Sequence, residues 1–204
     1  VNGGDSEMKY ALLGDLHSQI KDTKKVLKAI RNENTDQTLQ IIGLGDLFEC
    51  KIGKKKLATL QGHIPLIEAA DYTVEFKELL TFPSIIGNQE ERIALVTGDK
   101  HYLSYPEKIE INHATLIHGH QFKVTEPFEL TIPSFETPLL FFGHSHRSAL
   151  YFNGVRNEIE FDLPYKLNKT EQYAINVGSV IENREWCLYD SEEMTVTFKK
   201  ARAI

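Results

Sequence analysis

Five short, largely apolar runs in this chain each stop at a cluster of oxygen- and nitrogen-donor side chains. Lys9–Leu13 is followed by GDLHS, Leu39–Leu44 by GDLFE, Phe82–Ile86 by GNQEE, Ala114–Ile117 by HGHQF, and Leu139–Phe142 by GHSH. Apolar runs of this length, bounded by turn residues, predict buried strands. Between the early ones lies helical spacing: Ile20, Val26, Leu27 and Ile30 place a helix over Ser18–Asn32. Leu57–Leu80 reads as one or two helices broken at Pro65, and Gln89–Val96 as a short one. From Lys108 onward strands dominate, at Lys108–Ile111, Ala114–Ile117, Leu139–Phe142, Ser148–Phe152, Val155–Phe161, Tyr173–Asn176, Glu185–Tyr189 and Thr195–Lys199. A βα half followed by a β-rich half implies layered sheets with helices outside, an α/β fold.

At 204 residues, with no repeat or linker, the chain is expected to form a single domain over residues 8–204. Residues 1–7 precede a methionine at the first strand and are expected to be an extension or expression remnant. The apolar runs are too short to span a bilayer. The first residues lack the basic and long apolar regions of a secretory signal. Cys50 and Cys187 stand alone, with no CxxC spacing, which suits a reducing, cytoplasmic setting and excludes a cysteine zinc site. A net charge of −6 argues against extended nucleic acid as a partner, because such binding rests on neutralising phosphates. The basic stretch KIGKKK, Lys51–Lys56, is a solvated surface or a cationic rim that draws anions toward a site.

Taken singly, the donor residues have ordinary explanations. Asp15 and Asp46 fit turns, Asn88 fits a helix cap, and His118 fits a half-buried structural histidine. Their joint placement has no such explanation: five of the eight histidines lie at strand ends. In open α/β sheets, sites form beyond the carboxyl ends of strands, so these loops can converge. Glycine precedes Asp15, Asp46, Asn88 and His144, which permits sharp turns and close backbone approach. Neutral imidazole is the commonest protein metal ligand, and carboxylates complete such a set.

The ordered set GDLHS, GDLFE, GNQE, IHGH, GHSH resembles the signature of the calcineurin-like metallophosphoesterases, and LIHGHQF with INVGSV resembles their small bacterial and archaeal phosphodiesterase-like branch. The resemblance runs from Met8 to about Tyr189. It implies a four-layer αββα sandwich of two mixed β-sheets flanked by helices, with a dimetal centre on the loops above. Carried over, Asp15, His17 and His146 would hold one divalent ion and Asn88, His118 and His144 a second, with Asp46 bridging. Imidazoles and an amide oxygen beside carboxylates suit Mn, Fe, Zn or Ni better than Mg or Ca.

The resemblance implies a hydrolase that cleaves phosphoesters, phosphodiesters first, by attack of a metal-bridging hydroxide. Phosphomonoesters, dinucleoside polyphosphates and phosphoproteins are alternative substrates, and a catalytically weak scaffold is the alternative outside enzymes. Where many members carry a histidine that assists the leaving group, this chain has Gln89, whose amide cannot act as a general acid. His120 is expected to take part of that role, to orient phosphate, or to support the ligand His118. The expected partner is a small phosphorylated substrate, with no membrane; a homo-oligomer is compatible with the sequence. Lys51–Leu80 is expected to form a helical lid that sets substrate size. Asp22 and Glu90 are expected to be first-turn residues favoured by a helix dipole.

Overall fold

A computed structural model describes residues 8–125, 129–130 and 135–202; residues 1–7 lie outside it. The chain begins with β1 (Lys9–Leu13), α1 (Ile20–Glu33) and β2 (Leu39–Gly43). Four helices follow: α2 (Lys54–Leu57), α3 (Leu66–Ala69), α4 (Val74–Leu79) and α5 (Asn88–Thr97). The strands of the second half are β3 (Lys108–Ile111), β4 (Ala114–Ile117), β5 (Val124–Thr125), β6 (Glu129–Leu130), β7 (Leu139–Phe142), β8 (Ala149–Phe152), β9 (Val155–Asn157), β10 (Pro164–Lys166), β11 (Tyr173–Asn176), β12 (Glu185–Asp190) and β13 (Thr195–Lys200).

Two mixed sheets form. One has the order β10-β13-β12-β1-β2, the other β3-β4-β7-β11-β8-β9, and β5 with β6 makes a separate two-stranded ladder. In the first, β1 runs parallel to β2 and antiparallel to β12. In the second, β4, β7 and β11 are mutually parallel. The parallel strands therefore point their carboxyl ends, and the donor clusters that follow, toward one rim.

Alternation along the strands builds the layers. In β1, Ala11 and Leu13 face the helices, where they join Val26, Leu27 and Ile30 of α1 and Ile93, Ala94 and Val96 of α5. Tyr10 and Leu12 face the other way, into the core between the sheets, against Leu139 and Phe141 of β7. Leu140 and Phe142 then point to the far face of the second sheet. That is why LLFF is apolar throughout: it is buried on both sides.

Two mixed sheets with helices outside are thus the architecture. Among the described residues, every helix packs against the cluster on the first sheet, α2 through the half-buried Leu57 alone. The far face of the second sheet is covered, among the described residues, by non-helical chain, with Phe122 and Phe135 packed onto it. No 3.6-residue apolar period recurs after Lys108 to build a helix there.

Local expectations needed correction where proline intervenes. Phe82–Ile86 is not a strand: it meets β2 at a single parallel bridge, Gly43 to Ser84, because Pro83 offers a carbonyl but no N–H. Leu57–Leu80 holds two short helices, α3 and α4, and both come after Pro65, which caps α3 instead of dividing a longer helix. Val155–Phe161 is strand only to Asn157, and the unforeseen edge strand β10 opens on Pro164, a position where proline is tolerated.

Candidate metal centre

Asp15 and His17 follow β1, Asp46 follows β2, Asn88 opens α5, His118 follows β4, and His144 and His146 follow β7. The loops are tied together by their backbones. Asp15 N donates to Gly45 O at 3.1 Å, and Leu16 N and His17 N both donate to Asp46 O at 2.9 and 3.0 Å. His144 N donates to Asp15 Oδ2 at 2.8 Å, and Gln89 N donates to Asp46 Oδ1 at 2.8 Å. Asn176 of the INVGSV stretch holds the GHSH turn, its Nδ2 donating to Gly143 O at 2.9 Å and Ser145 Oγ at 2.8 Å.

All seven expected donors come together. Donor atoms of Asp15, His17 and His146 lie within 4.8 Å of one another, as do those of Asp46, His118 and His144. Asn88 joins the second group, its Oδ1 3.2 Å from His118 Nε2. Asp46 stands between the groups: its Oδ2 is 3.7 Å from His17 Nε2 and 3.3 Å from His118 Nε2.

Tautomers follow from the outer nitrogens. His118 Nδ1 donates to Leu44 O at 2.7 Å, and His17 Nδ1 donates to the Glu49 carboxylate. Each neutral ring then aims an Nε2 lone pair at carboxylate oxygens. Acceptor facing acceptor is repulsive unless something positive lies between them. Asp15 Oδ1 and His17 Nε2 are buried with no hydrogen-bond partner, each an arrangement that costs about 1–3 kcal/mol. A proton can relieve this, and it sets the acidities. Burial works to lower the His17 imidazole, but Asp15, Glu49 and Asp46 outweigh it and push it up to about 10. His118 is likewise lifted against burial to about 9, chiefly by Asp46. Burial would raise the Asp15 carboxyl, yet His146 and His17 hold it below the usual carboxylate range. A divalent cation relieves the same repulsion better, because it can meet several lone pairs at once. The donor set therefore fits divalent metal ions.

The loops carry strain where the donors sit. Asp15, His17, Asp46, His144 and His146 have φ of 54°, 46°, 50°, 67° and 59°, the left-handed region that non-glycine residues enter at a cost of roughly 1–2 kcal/mol each. The donors take this conformation more than the preceding glycines, of which only Gly45 has a positive φ, 84°. Gly87 and Gly143 serve close approach instead. A Cβ at Gly87 would collide with Asp46 N and Oδ1, and one at Gly143 would lie 2.6 Å from Asp15 Oδ2.

Two carboxylates were missed as site residues. Glu90 lies in the first turn of α5, as expected, but it does more than favour the helix dipole. It is fully buried and accepts from Asp46 N and Gly87 N at 2.9 Å each and from Phe48 N at 3.0 Å, so it clamps two donor loops. Burial and then nearby Asp46 push its carboxyl up to about 7. Glu49, the last letter of GDLFE, holds His17. Only an acidic residue three positions after Asp46 hinted at it, a weak signal in a loop.

His120 lies beside the cluster, its ring 5.4 Å from that of His118 and 6.3 Å from that of His144, outside both donor groups. Its Nε2 is 3.3 Å from Glu91 Oε1, and its Nδ1 is buried without a hydrogen-bond partner. Gln89 is turned away: its Oε1 accepts from Cys50 N at 3.1 Å. Part of the expected lid does reach the site, since Asp71 N donates to Glu49 O at 2.9 Å and Ser18 Oγ donates to Asp71 O at 2.5 Å. Lys54–Lys56 form α2 and are exposed. Among the described residues, no helix is long and apolar enough to cross a membrane.

No protein-family model and no curated protein matches the chain. Solved structures do. A metallophosphoesterase from Sphaerobacter thermophilus superposes with a TM-score of 0.62 at 16% identity, over 97% of this chain and 89% of that one. Yfce, a phosphoesterase from E. coli, gives 0.50 at 15% identity, over 96% of this chain and 100% of its own. The two sheets, the helices over one of them and the donor-bearing loops at a common rim thus belong to one arrangement: this chain has the fold of the metallophosphoesterases.

Proposed function

We propose that this chain is a hydrolase of phosphodiesters that works with two divalent cations, one on Asp15, His17 and His146, the other on Asn88, His118 and His144, with Asp46 shared. The observation that carries the reading is Asp46 Oδ2, which faces an imidazole nitrogen of each group at 3.7 and 3.3 Å. Bound there, divalent cations would supply positive charge against phosphate oxygens and lower the pKa of water, so that hydroxide is available near neutral pH. The donor set favours Mn, Fe, Zn or Ni.

The chain's own residues do the rest. Glu49 and Leu44 O fix the tautomers of His17 and His118, so that both present Nε2. Glu90 and the Gln89 N–H fix Asp46. The left-handed donor loops are held in place before any ligand arrives, so little reorganisation accompanies binding. With Gln89 committed to Cys50 N, the proton for the departing oxygen falls to His120, whose ring Glu91 orients through Nε2.

The test is a substrate panel with Mn²⁺: an aryl phosphodiester, an aryl monoester, a cyclic nucleotide, a dinucleoside polyphosphate and a phosphopeptide. The diester turns over, Asp46→Asn lowers the rate at least about 100-fold, and His120→Gln slows unactivated esters more than aryl ones. Turnover of the monoester but not the diester contradicts the substrate class. Turnover of none favours a scaffold.

A further inference from the structure

A cavity of about 330 Å³ opens beside the donor cluster, lined by Gly119, Phe122, Lys123, Phe142, His144 and Ser145. It is formed where the loop after β4 passes the loop after β7. Its floor is aromatic: the Phe122 and Phe142 rings meet edge to face at 5.0 Å, with Phe142 buried and Phe122 half-buried. The absence of a side chain at residue 119 keeps it open, because a Cβ there would lie 3.1 Å from Phe142 Cδ2. One wall is His144, which belongs to the donor cluster, and Lys123 is exposed at its edge.

A hydrophilic fragment gains nothing from such a floor, and an extended chain does not fit its size. The volume is at the lower end of small-molecule sites, roughly 300–1,000 Å³, which suits a ring-sized group. A half-buried phenyl face beside a cation suits a planar, polar-edged ring attached to an anion. From this we infer that the cavity binds the base of a nucleotidyl arm of the diester, the ring lying against Phe122 while Lys123 attracts the phosphate it is linked to. The inference rests on the proposed phosphodiester hydrolysis and gives its substrate class, a diester with at least one nucleoside arm.

Two esters with the same leaving group separate the claims: methyl 4-nitrophenyl phosphate and thymidine 5′-(4-nitrophenyl phosphate), both with Mn²⁺. The wild type is expected to favour the thymidine ester at least about 10-fold in kcat/KM, mainly through KM, consistent with the usual strength of base–aromatic stacking. Phe122→Ala removes most of that preference while keeping methyl-ester turnover, which also shows that the site is folded. Phe122→Tyr retains the preference, and Lys123→Ala weakens both esters alike. Binding of thymidine 5′-monophosphate, read by calorimetry, tests the cavity independently of turnover: Phe122→Ala weakens it about 10-fold. Methyl-ester turnover with no thymidine preference, or a Phe122→Ala loss equal for both esters, overturns the subsite and leaves the hydrolase reading standing. Turnover of neither ester sinks the hydrolase reading, and the cavity then stands or falls on the calorimetry: unchanged nucleotide binding in Phe122→Ala overturns it.

Discussion

At the residue scale, the outer hydrogen bonds of the imidazoles decide how ready the cluster is for metal. Glu49 is 32 positions from His17 in sequence, yet its carboxylate fixes which nitrogen His17 presents. Loss of such an outer partner typically weakens metal affinity 10–100-fold. Glu49→Ala is therefore expected to lower Mn²⁺ affinity by roughly that factor in titration calorimetry, with Glu49→Gln, which keeps an acceptor, falling between it and the wild type. An unchanged affinity in Glu49→Ala would show that His17 needs no orienting partner. Asp15, Asp46, Asn88 and His144 stood out because each follows a glycine after an apolar run, and the resemblance supplied the full set of seven. Glu49 and Glu90 did not stand out, because an acidic residue in a loop or at a helix start looks the same in sequence whether it clamps backbone N–H groups or faces water.

At the scale of elements, strand ends were easier to place than strand partners. β1, β7 and β11 were visible as apolar runs, but their pairing depends on residues far apart, as in Asn176 of β11 beside Phe142 of β7. Phe82–Ile86 has strand-like composition and lacks only the N–H that Pro83 cannot supply. The junction from that segment into α5 is the tightest in the site, since Gly87 lies against Asp46. Gly87→Ala must push the Asp46 loop aside, and a destabilisation of about 3 kcal/mol is expected, of the size seen for overpacking. Chemical denaturation measures it, and the same variant is expected to lose Mn²⁺ binding. Full stability in Gly87→Ala would mean that the two loops are free to separate.

For the whole molecule, the cluster is a set of mutually compensating charges whose balance depends on pH. His17 and His118 titrate at about 10 and about 9 in the folded metal-free chain, above the ordinary histidine value. Raised bases give stability that is complete below about pH 6.5 and is lost as pH climbs through 9 to 10. Glu90, raised to about 7, adds a loss between its ordinary value and pH 7, because the folded state holds its proton more tightly. Both contributions have the same sign, and His144, lowered by burial, opposes them only below its ordinary value. The melting temperature of metal-free protein should fall as pH rises from 5 to 10, and saturating Mn²⁺ should raise it, most at the alkaline end, where no proton competes for the imidazoles. A melting temperature that rises over this range without metal would contradict the charge pattern assigned to the cluster.

The most direct measurement is anomalous diffraction from crystals soaked in Mn²⁺. The account predicts two peaks, one within bonding distance of Asp15, His17 and His146, the other of Asn88, His118 and His144, both touching Asp46. A single peak elsewhere on the surface, or two that leave Asp46 uncoordinated, would contradict it.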